Sequence, residues 1–341
     1  MRGVSNHEQR CRRVSRWLLV TRRVVFAVCV VWLVVSLTWA SIALTRDPNA
    51  AAERRAINTN DQLSDAEKEA ALERLEDGGE PALDRYLDWA GDFATLEWGY
   101  ANSLQRYDEN RQPVRVTVTD ALARGLPNTL RYVVPAILLA VALGWAIGVY
   151  AALSPGSRAA RVASMTAYFG GGFPNFYLAV LVPVVVSIPL NLLGHELPRT
   201  LGPLGVQTTL LPVFVLTLGL VGGQIRYART EALEYAREDF VRLVRAKGAG
   251  PTRLARHVLR NAALPLIALF FTEVLAVLVV DVFVLEYVFP IGGIGSMALT
   301  GIQSRDLPLI VGITTVIVAA GVFGTLLQDL SHHYLDPRVG E

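Results

Sequence analysis

Six long apolar stretches punctuate the chain: Val24–Leu44, Leu130–Leu153, Ala167–Leu193, Leu210–Ile225, Pro265–Leu285 and Pro308–Leu330. A helix rises about 1.5 Å per residue and a hydrocarbon core is about 30 Å thick, so about 20 residues suffice to cross it. The fourth stretch is interrupted by Gly219, Gly222 and Gly223, residues that membrane helices carry more often than soluble ones. The third contains Gly170, Gly171, Gly172 and Pro174, which predict a kink or broken turn. Such a break survives in a membrane only where protein or a water-filled path satisfies the backbone. Pro127 and Asn128 predict another break, with Thr129 opening the second span.

Between the fourth and fifth spans the pattern changes. EALEYAREDFVRLVRAKGAG sets Leu233, Ala236, Phe240, Leu243 and Val244 at helical spacing, with Glu234, Arg237, Glu238, Arg242 and Arg245 opposite. This predicts one amphipathic helix, ended by Gly248 and Gly250–Pro251. Thr252 opens a second helix, with Leu254, Val258 and Ala262 on one side, that ends where Pro265 opens the fifth span. After the first span, DQLSDAEKEAALERLEDGG predicts a short solvated helix with Ser64 and Glu67 as a capping box, stopped by Gly78–Gly79 and Pro81. A second amphipathic piece follows at Leu83–Trp89. With Phe93, Trp98 and Tyr100 it carries the aromatic residues that suit a membrane edge.

Composition agrees with this pattern: 52% of residues are hydrophobic and 18% charged, where a soluble domain carries about 25% charged. The placement of charge sets an orientation. Residues 1–23 hold seven Arg and one Glu, and residues 226–263 hold nine Lys or Arg against four acids. Residues 45–129 hold 17 acids against 10 basic residues. By the positive-inside rule both termini are cytoplasmic and the acidic segment is external. The expected organisation is a basic tail and first span over residues 1–44, an external loop over 45–129, and a core of five spans over 130–341 with a cytoplasmic loop at about 227–263. The first apolar run is longer than a secretory signal core, so it is expected to stay as an uncleaved span.

Candidate chemistry is sparse. Cys11 and Cys29 have no metal-ligand spacing and no sensible disulfide partner. His332–His333 are adjacent, and from a helix two neighbours cannot face one ion, so no metal site is expected. The phosphate-cradling pattern Gly-x-x-x-x-Gly-Lys-Ser/Thr does not occur, and neither does a zinc-helix motif or a nucleophile elbow. Glu273 and Asp281 fall inside the fifth span. A charge there costs about 2.5–3.5 kcal/mol on insertion scales, so both are expected to face a bundle interior or an aqueous path. Asp281 either lines that path or hydrogen-bonds a neighbouring helix. Glu286, expected at the external end where a carboxylate costs little, reads as a structural cap.

The run YARTEALEYAREDFVRLVRAKGAGPTRLARHVLRNAALPLI resembles the cytoplasmic loop of permease subunits in the dipeptide/oligopeptide branch of ATP-binding-cassette importers. The matching residues are Phe240, Val241–Arg242, Ala246–Lys247–Gly248, His257 to Ala262 with Val258 inserted before Leu259, and Leu264–Pro265. The Glu-Ala-Ala of the general importer signature is replaced by Arg242, Leu243 and Val244. LPNTLRYV at Leu126–Val133 is similar to the start of the family's second span, and GGFPNFYLAV to its Pro-x-Phe segment. Glu286, Phe289, Gly293, Gly295, Arg305, Asp306 and Pro308 match its external region, YLDPRVGE its closing segment, and RYLDWAGDFATLEWGYA its Tyr-Leu-x-Trp segment. The resemblance runs from about Asp84 to Glu341.

The resemblance implies an all-α integral membrane protein with about six transmembrane helices, in the cell membrane. It also implies a pore-forming permease that works with a second homologous permease, two ATPase subunits and an external substrate-binding protein. ATP and Mg would then sit on the partner subunits, with no cofactor and no nucleic acid on this chain. Coupling to the ATPase falls to Arg245, Ala246, Lys247, Gly248, Ala249 and Gly250, and Asp281 and Glu273 are the candidate translocation-path residues. The implied substrate is a di- or oligopeptide, and relatives in this branch also carry nickel chelates, glutathione or sugars. An ion-coupled secondary transporter using Asp281 and Glu273 is the alternative from another class, and a membrane-embedded enzyme a third.

Overall fold

The computed structural model describes residues 3–43, 57–58, 64, 67–69, 72, 82–107, 111–154, 156–170, 172–192, 200–201 and 204–335. These residues are overwhelmingly helical: α1 (Gly3–Ala43), α2 (Ala82–Ala94), α3 (Val118–Leu153), α4 (Arg158–Gly170), α5 (Asn175–Leu192), α6 (Leu211–Ala236), α7 (Asp239–Ala246), α8 (Pro251–Ala276), α9 (Val282–Val288), α10 (Ile294–Ser304) and α11 (Leu307–Leu335). Two π-helical turns join elements, Val206–Leu210 into α6 and Val277–Asp281 between α8 and α9. Two antiparallel pairs, β1 (Tyr100–Tyr107) with β2 (Pro113–Thr117) and β3 (Thr200–Leu201) with β4 (Leu204–Gly205), complete the described chain. Among the described residues, four segments are long and apolar enough to cross a membrane: Thr21–Ser41, Val118–Leu153, Val206–Ala236 and Leu307–Gln328. Asn175–Pro189 is a shorter apolar helix.

The expected break in the third span is present. Helix α4 stops at Gly170 and α5 starts at Asn175. Three other expectations are corrected. Pro127 does not end a helix: α3 runs through both Pro127 and Pro135. A proline in a helix interior costs about 3 kcal/mol, but the stripe Val118, Ala121, Leu122, Thr129, Tyr132, Val133, Ala136, Ile137 and Ala140 is buried on both sides of Pro127, and that packing overrides it. The single amphipathic helix expected from Glu231 onward is two. Leu233 and Ala236 end α6, the chain bends at Arg237–Glu238, and α7 begins at Asp239. Finally, Pro265 opens nothing, because the helix begun at Pro251 continues through it to Ala276.

Contacts divide the chain into two compact units, residues 28–122 with 300–315, and residues 1–27, 123–299 and 316–341. In the first, α2 lays Tyr86, Trp89 and Phe93 against Val35 and Trp39 of α1, with Val311 of α11 in the same cluster. Trp39 and Trp89 stack at 5.7 Å, and Phe93 stacks on Trp98 at 5.3 Å. Tyr86 and Ser36 share a hydrogen bond of 2.8 Å. The β1–β2 hairpin was not foreseen, although PVRVT alternates with the period of a strand. It is pinned by Asp306, whose carboxylate accepts from Ser103 N–H at 2.6 Å and Ser103 hydroxyl at 2.7 Å. The other oxygen of Asp306 accepts from Leu309 N–H at 3.4 Å, which caps α11. The Ser64–Glu67 capping box forms as expected, with Ser64 N–H donating to Glu67 at 2.9 Å and Glu67 N–H to the Ser64 hydroxyl at 3.4 Å. Those bonds hold the Glu67 carboxyl below its ordinary value. The rest of that expected helix, including Gly78–Gly79 and Pro81, lies outside the described residues.

The second unit is organised around α6. Its residues share apolar clusters with α3 and α4 (Ala151, Ala160, Ala163, Val221, Ile225), and with α8 (Ala228, Ala262, Leu266). The approach of α3 is set by Gly144 and Gly148, one turn apart. A Cβ on Gly148 would lie 2.7 Å from the Ile225 carbonyl oxygen and 2.9 Å from Arg229 N. Two small residues four apart are what lets membrane helices bring their backbones together. Trp145 between them donates its indole N–H to Gln224 at 2.8 Å. Gly148→Val should therefore force the helices apart, and overpacking of this kind costs about 1–3 kcal/mol. A lower thermal midpoint of the purified membrane protein is the expected result, while Gly91→Ala, inside α2 with open space around it, should leave the midpoint unchanged or raise it.

Candidate functional site

Three groups of residues qualify as sites, all within the second unit. The first is the polar loop between α6 and α8. Helix α7 is anchored by Val241, which joins Val149 and Ala152 of α3, Ala232 of α6, and Leu254 and Val258 of α8 in one buried cluster, with Val244 packed against it. The apolar face is thus rotated from the expected one: Val241 is buried, and Leu243 is 57% exposed. The Phe240 side chain lies outside the described residues. Leu254, Val258 and Ala262 are buried as expected.

The end of α7 is a complete Schellman motif. Gly248 adopts φ +75°. Its N–H donates to Arg245 O at 2.9 Å, and Ala249 N–H reaches back to Val244 O at 3.3 Å. Gly250 then precedes Pro251, the first residue of α8, a position where the missing proline N–H has no helical partner to lose. Leu254 N–H closes the first turn onto Gly250 O at 3.1 Å. The six residues proposed from the resemblance form the outer rim of this turn: Arg245, Ala246, Lys247, Gly248 and Gly250 are exposed and Ala249 is half-buried. A Cβ at Gly248 or Gly250 would meet nothing within 4 Å. The glycine at 248 thus answers to its backbone angle, and the space beside both glycines is open. The Arg242–Asp239 pair, 3.5 Å apart and exposed, contributes little in water.

The second group joins the two irregular places in the helices. Asn175, the first residue after the broken turn, donates from its side-chain amide to Asp281 at 2.8 Å. Asp281 is the last residue of the π-turn. Gly219 of α6 makes room for this pair, since a Cβ there would fall on the Asn175 amide. Asp281 is half-buried, and its described bond is to a neighbouring helix. Glu273, the other expected path residue, lies in α8, but its side chain is outside the described residues, as are those of His332, His333 and Cys11. Cys29 is an exposed free thiol. Among the described residues no group of three metal-ligating side chains exists.

The third group was underestimated by sequence reasoning. Glu286 is 3% exposed, not at an inexpensive outer edge. Its carboxylate accepts from the Thr129 hydroxyl at 2.6 Å, the Tyr132 hydroxyl at 3.3 Å and Ser296 N–H at 3.0 Å. Thr129 in turn accepts from Ile294 N–H at 2.9 Å. The cap role holds, then, but it is a buried one: Glu286 satisfies the N-terminal amides of α10 and meets the positive end of its dipole. Gly293 has no side chain because a Cβ would fall on Glu286 and Thr129. Nothing in the local sequence marks the Thr129–Glu286 pairing, since 157 residues separate them.

Interrupted helices with polar side chains paired beside the breaks, a glycine-mediated helix crossing and an exposed loop on short helices mark a polytopic helical membrane protein. The family model described as "binding-protein-dependent transport system inner membrane component" matches residues 144–341, and the chain belongs to that family. It is 28% identical over 284 residues to the oligopeptide transport system permease protein AppB of Bacillus subtilis (strain 168), covering 82% of this chain and 86% of that protein. It is 30% identical over 261 residues to the dipeptide transport system permease protein DppB of the same strain, covering 76% and 80%. The metal-staphylopine import system permease protein CntB of Staphylococcus aureus (strain Mu50 / ATCC 700699) is 26% identical over 262 residues, covering 77% and 79%. The protein is thus a multi-pass inner-membrane permease of an ATP-binding-cassette importer, within the dipeptide/oligopeptide branch. This membership replaces the ion-coupled alternative.

For Asp281 the geometry sets a clear expectation. Asp281→Asn keeps an acceptor for Asn175 and should leave the stability within about 1 kcal/mol of wild type, whereas Asp281→Leu strands the Asn175 amide at a cost of about 1–3 kcal/mol. Thermal unfolding of both variants checks this.

Proposed function

We propose that this permease imports di- or oligopeptides, paired with a second homologous permease and driven by two ATPase subunits docked on the α7–α8 turn. The observation that carries the substrate is the similarity to oligopeptide and dipeptide permeases over most of the chain's length. A peptide delivered by an external binding protein would pass between the two permeases by alternating access. ATP and Mg would be held by the partner subunits. Residues Arg245 to Gly250 would press into an ATPase groove, with the basic charge of Arg245 and Lys247 facing the partner, and motion would pass through Val241 and Val244 into α3, α6 and α8. Asp281 would stand beside the substrate path as the member of the Asn175 pair that can meet a peptide amine. A metal-chelate cargo is the second reading, favoured by the likeness to the metal-staphylopine permease. Mass spectrometry of the ligand carried by the purified complex separates the two: peptides are expected, and a metal chelate in their place would reverse the reading.

Coupling has its own test. Gly248→Asp should leave the chain inserted, because Asp tolerates left-handed backbone better than most residues, and yet abolish uptake by setting an anion against the partner. Gly250→Ala introduces no backbone strain and meets nothing within the chain. A loss of ATPase co-purification in that variant would come from the partner surface alone. Normal uptake in both variants would refute the docking assignment.

Orientation follows from the charge pattern. Both termini and the α7–α8 turn are assigned to the cytoplasm and residues 45–129 to the outside. A cysteine at position 61 should react with an impermeant thiol reagent applied outside, and one at position 247 should not.

A further inference from the structure

Helix α8 starts at the exposed turn and runs without interruption for 26 residues, from Pro251 to Ala276, a rod about 39 Å long. Its first half is packed through Leu254 and Val258 against α7, and through Ala262 and Leu266 against α6. The rod ends in the π-turn Val277–Asp281, and α9 continues from it. The backbone stays in right-handed helical space at Asp281, with φ −69° and ψ −35°, so α8, the turn and α9 form one run with a single wide turn inside it. A π-turn is a place where a helix bends, and such turns collect at functional sites. Here the turn is pinned at both ends by buried Val277 and Val282, while Val280 between them is 60% exposed.

What lies beyond the turn is held. Glu286 of α9 is bonded to Thr129 and Tyr132 of α3 and to the amide of Ser296 in α10. A rod displaced at its first turn, with the segment past its end fixed, yields at the joint between them. A second joint stands at the same point. The break between α4 and α5 ends at Asn175, whose side-chain amide donates to Asp281 at 2.8 Å. Beyond it α5 packs against α9. Gly219 leaves the space in which this amide lies. Two bends that belong to different helical runs are thus tied by a side-chain hydrogen bond whose partners are 106 residues apart.

We propose that the π-turn is the joint at which α8 yields when the ATPase subunits close on nucleotide, and that the Asn175–Asp281 bond is the latch that keeps this joint shut until they do. Asn175 is then a residue of the transport cycle and not only a bridge between helices. The proposal rests on the docking of the ATPase subunits at the α7–α8 turn given in the preceding subsection. A hydrogen bond to a carboxylate shifts a two-state equilibrium by about tenfold. That is enough to favour one state, and little enough for a partner's preference for the other state to overcome it.

The experiment uses proteoliposomes with the complete transporter and its binding protein, in a chain whose Cys11 and Cys29 are replaced by serine. Asn175→Cys combined with Asp281→Cys is treated with a short bifunctional methanethiosulfonate. The pair should cross-link in the nucleotide-free complex, and about tenfold less in the complex trapped with ATP and vanadate. Cross-linking should stop import, and a reductant that removes the bridge should restore the rate measured before it. Asn175→Ala removes the latch and leaves Asp281 in place. It should raise ATP hydrolysis in the absence of the binding protein by about tenfold. A residue that only bridges helices would lower the thermal midpoint and leave hydrolysis dependent on the binding protein. Equal cross-linking in both states, none in either, or normal import by the cross-linked complex would overturn the latch and leave the docking reading standing. So would an Asn175→Ala complex whose hydrolysis is not raised. A wild-type chain with which no ATPase subunit co-purifies would overturn the docking reading and this proposal together.

Discussion

A peptide group left unpaired inside hydrocarbon costs several kcal/mol, and the membrane-spanning part of this protein is arranged around that constraint. At two of the irregular places a side chain from another helix stands beside the gap. The break between α4 and α5 sets Asn175 against Asp281 at the π-turn. The turn between α9 and α10 is closed by Glu286 and Thr129. Transport requires helices that are not uniform rods, because uniform rods leave no polar path. The tolerated irregularities are those whose backbone groups or flanking polar side chains find partners across the bundle.

The polar loop between α6 and α8 is built differently, from short, separately capped pieces. Helix α7 has eight residues, too short to persist alone in water. It is held by Val241 and Val244 under three longer helices and is closed at its end by the Gly248 motif. A partner that pushes on the exposed rim therefore pushes on elements packed directly against α3, α6 and α8.

Close approach is the third ingredient. The pair Gly144 and Gly148 lets α3 sit against the backbone of α6, and Gly219 makes room for Asn175. Glycines that read as weaknesses in an isolated helix are thus the sites of tightest packing. In lipid the solvent is as apolar as the side chains, so association depends on close van der Waals fit and interhelical hydrogen bonds such as Trp145–Gln224.

Much of this was legible in the residues themselves. Four of the six expected apolar runs, which among the described residues are long enough to cross a bilayer, the break at Gly170–Pro174, the Ser64–Glu67 box, the stop at Gly248 and the buried face of Leu254, Val258 and Ala262 all arise from interactions within a few residues, or from solvent that acts on each residue alone. What only the tertiary structure decided involves partners far apart in the chain. Pro127 reads as a breaker until the continuous buried stripe of α3 is seen to outweigh it. Glu286 reads as an outer-edge carboxylate until Thr129 and Tyr132 close over it. Leu243 and Val241 exchange places because the register of a short helix is chosen by what it packs against, not by its own periodicity. Local propensity and hydropathy act through sequence neighbours. A buried polar net or a helix crossing depends on which distant residues arrive at the same point, and that is settled only when the whole bundle has formed.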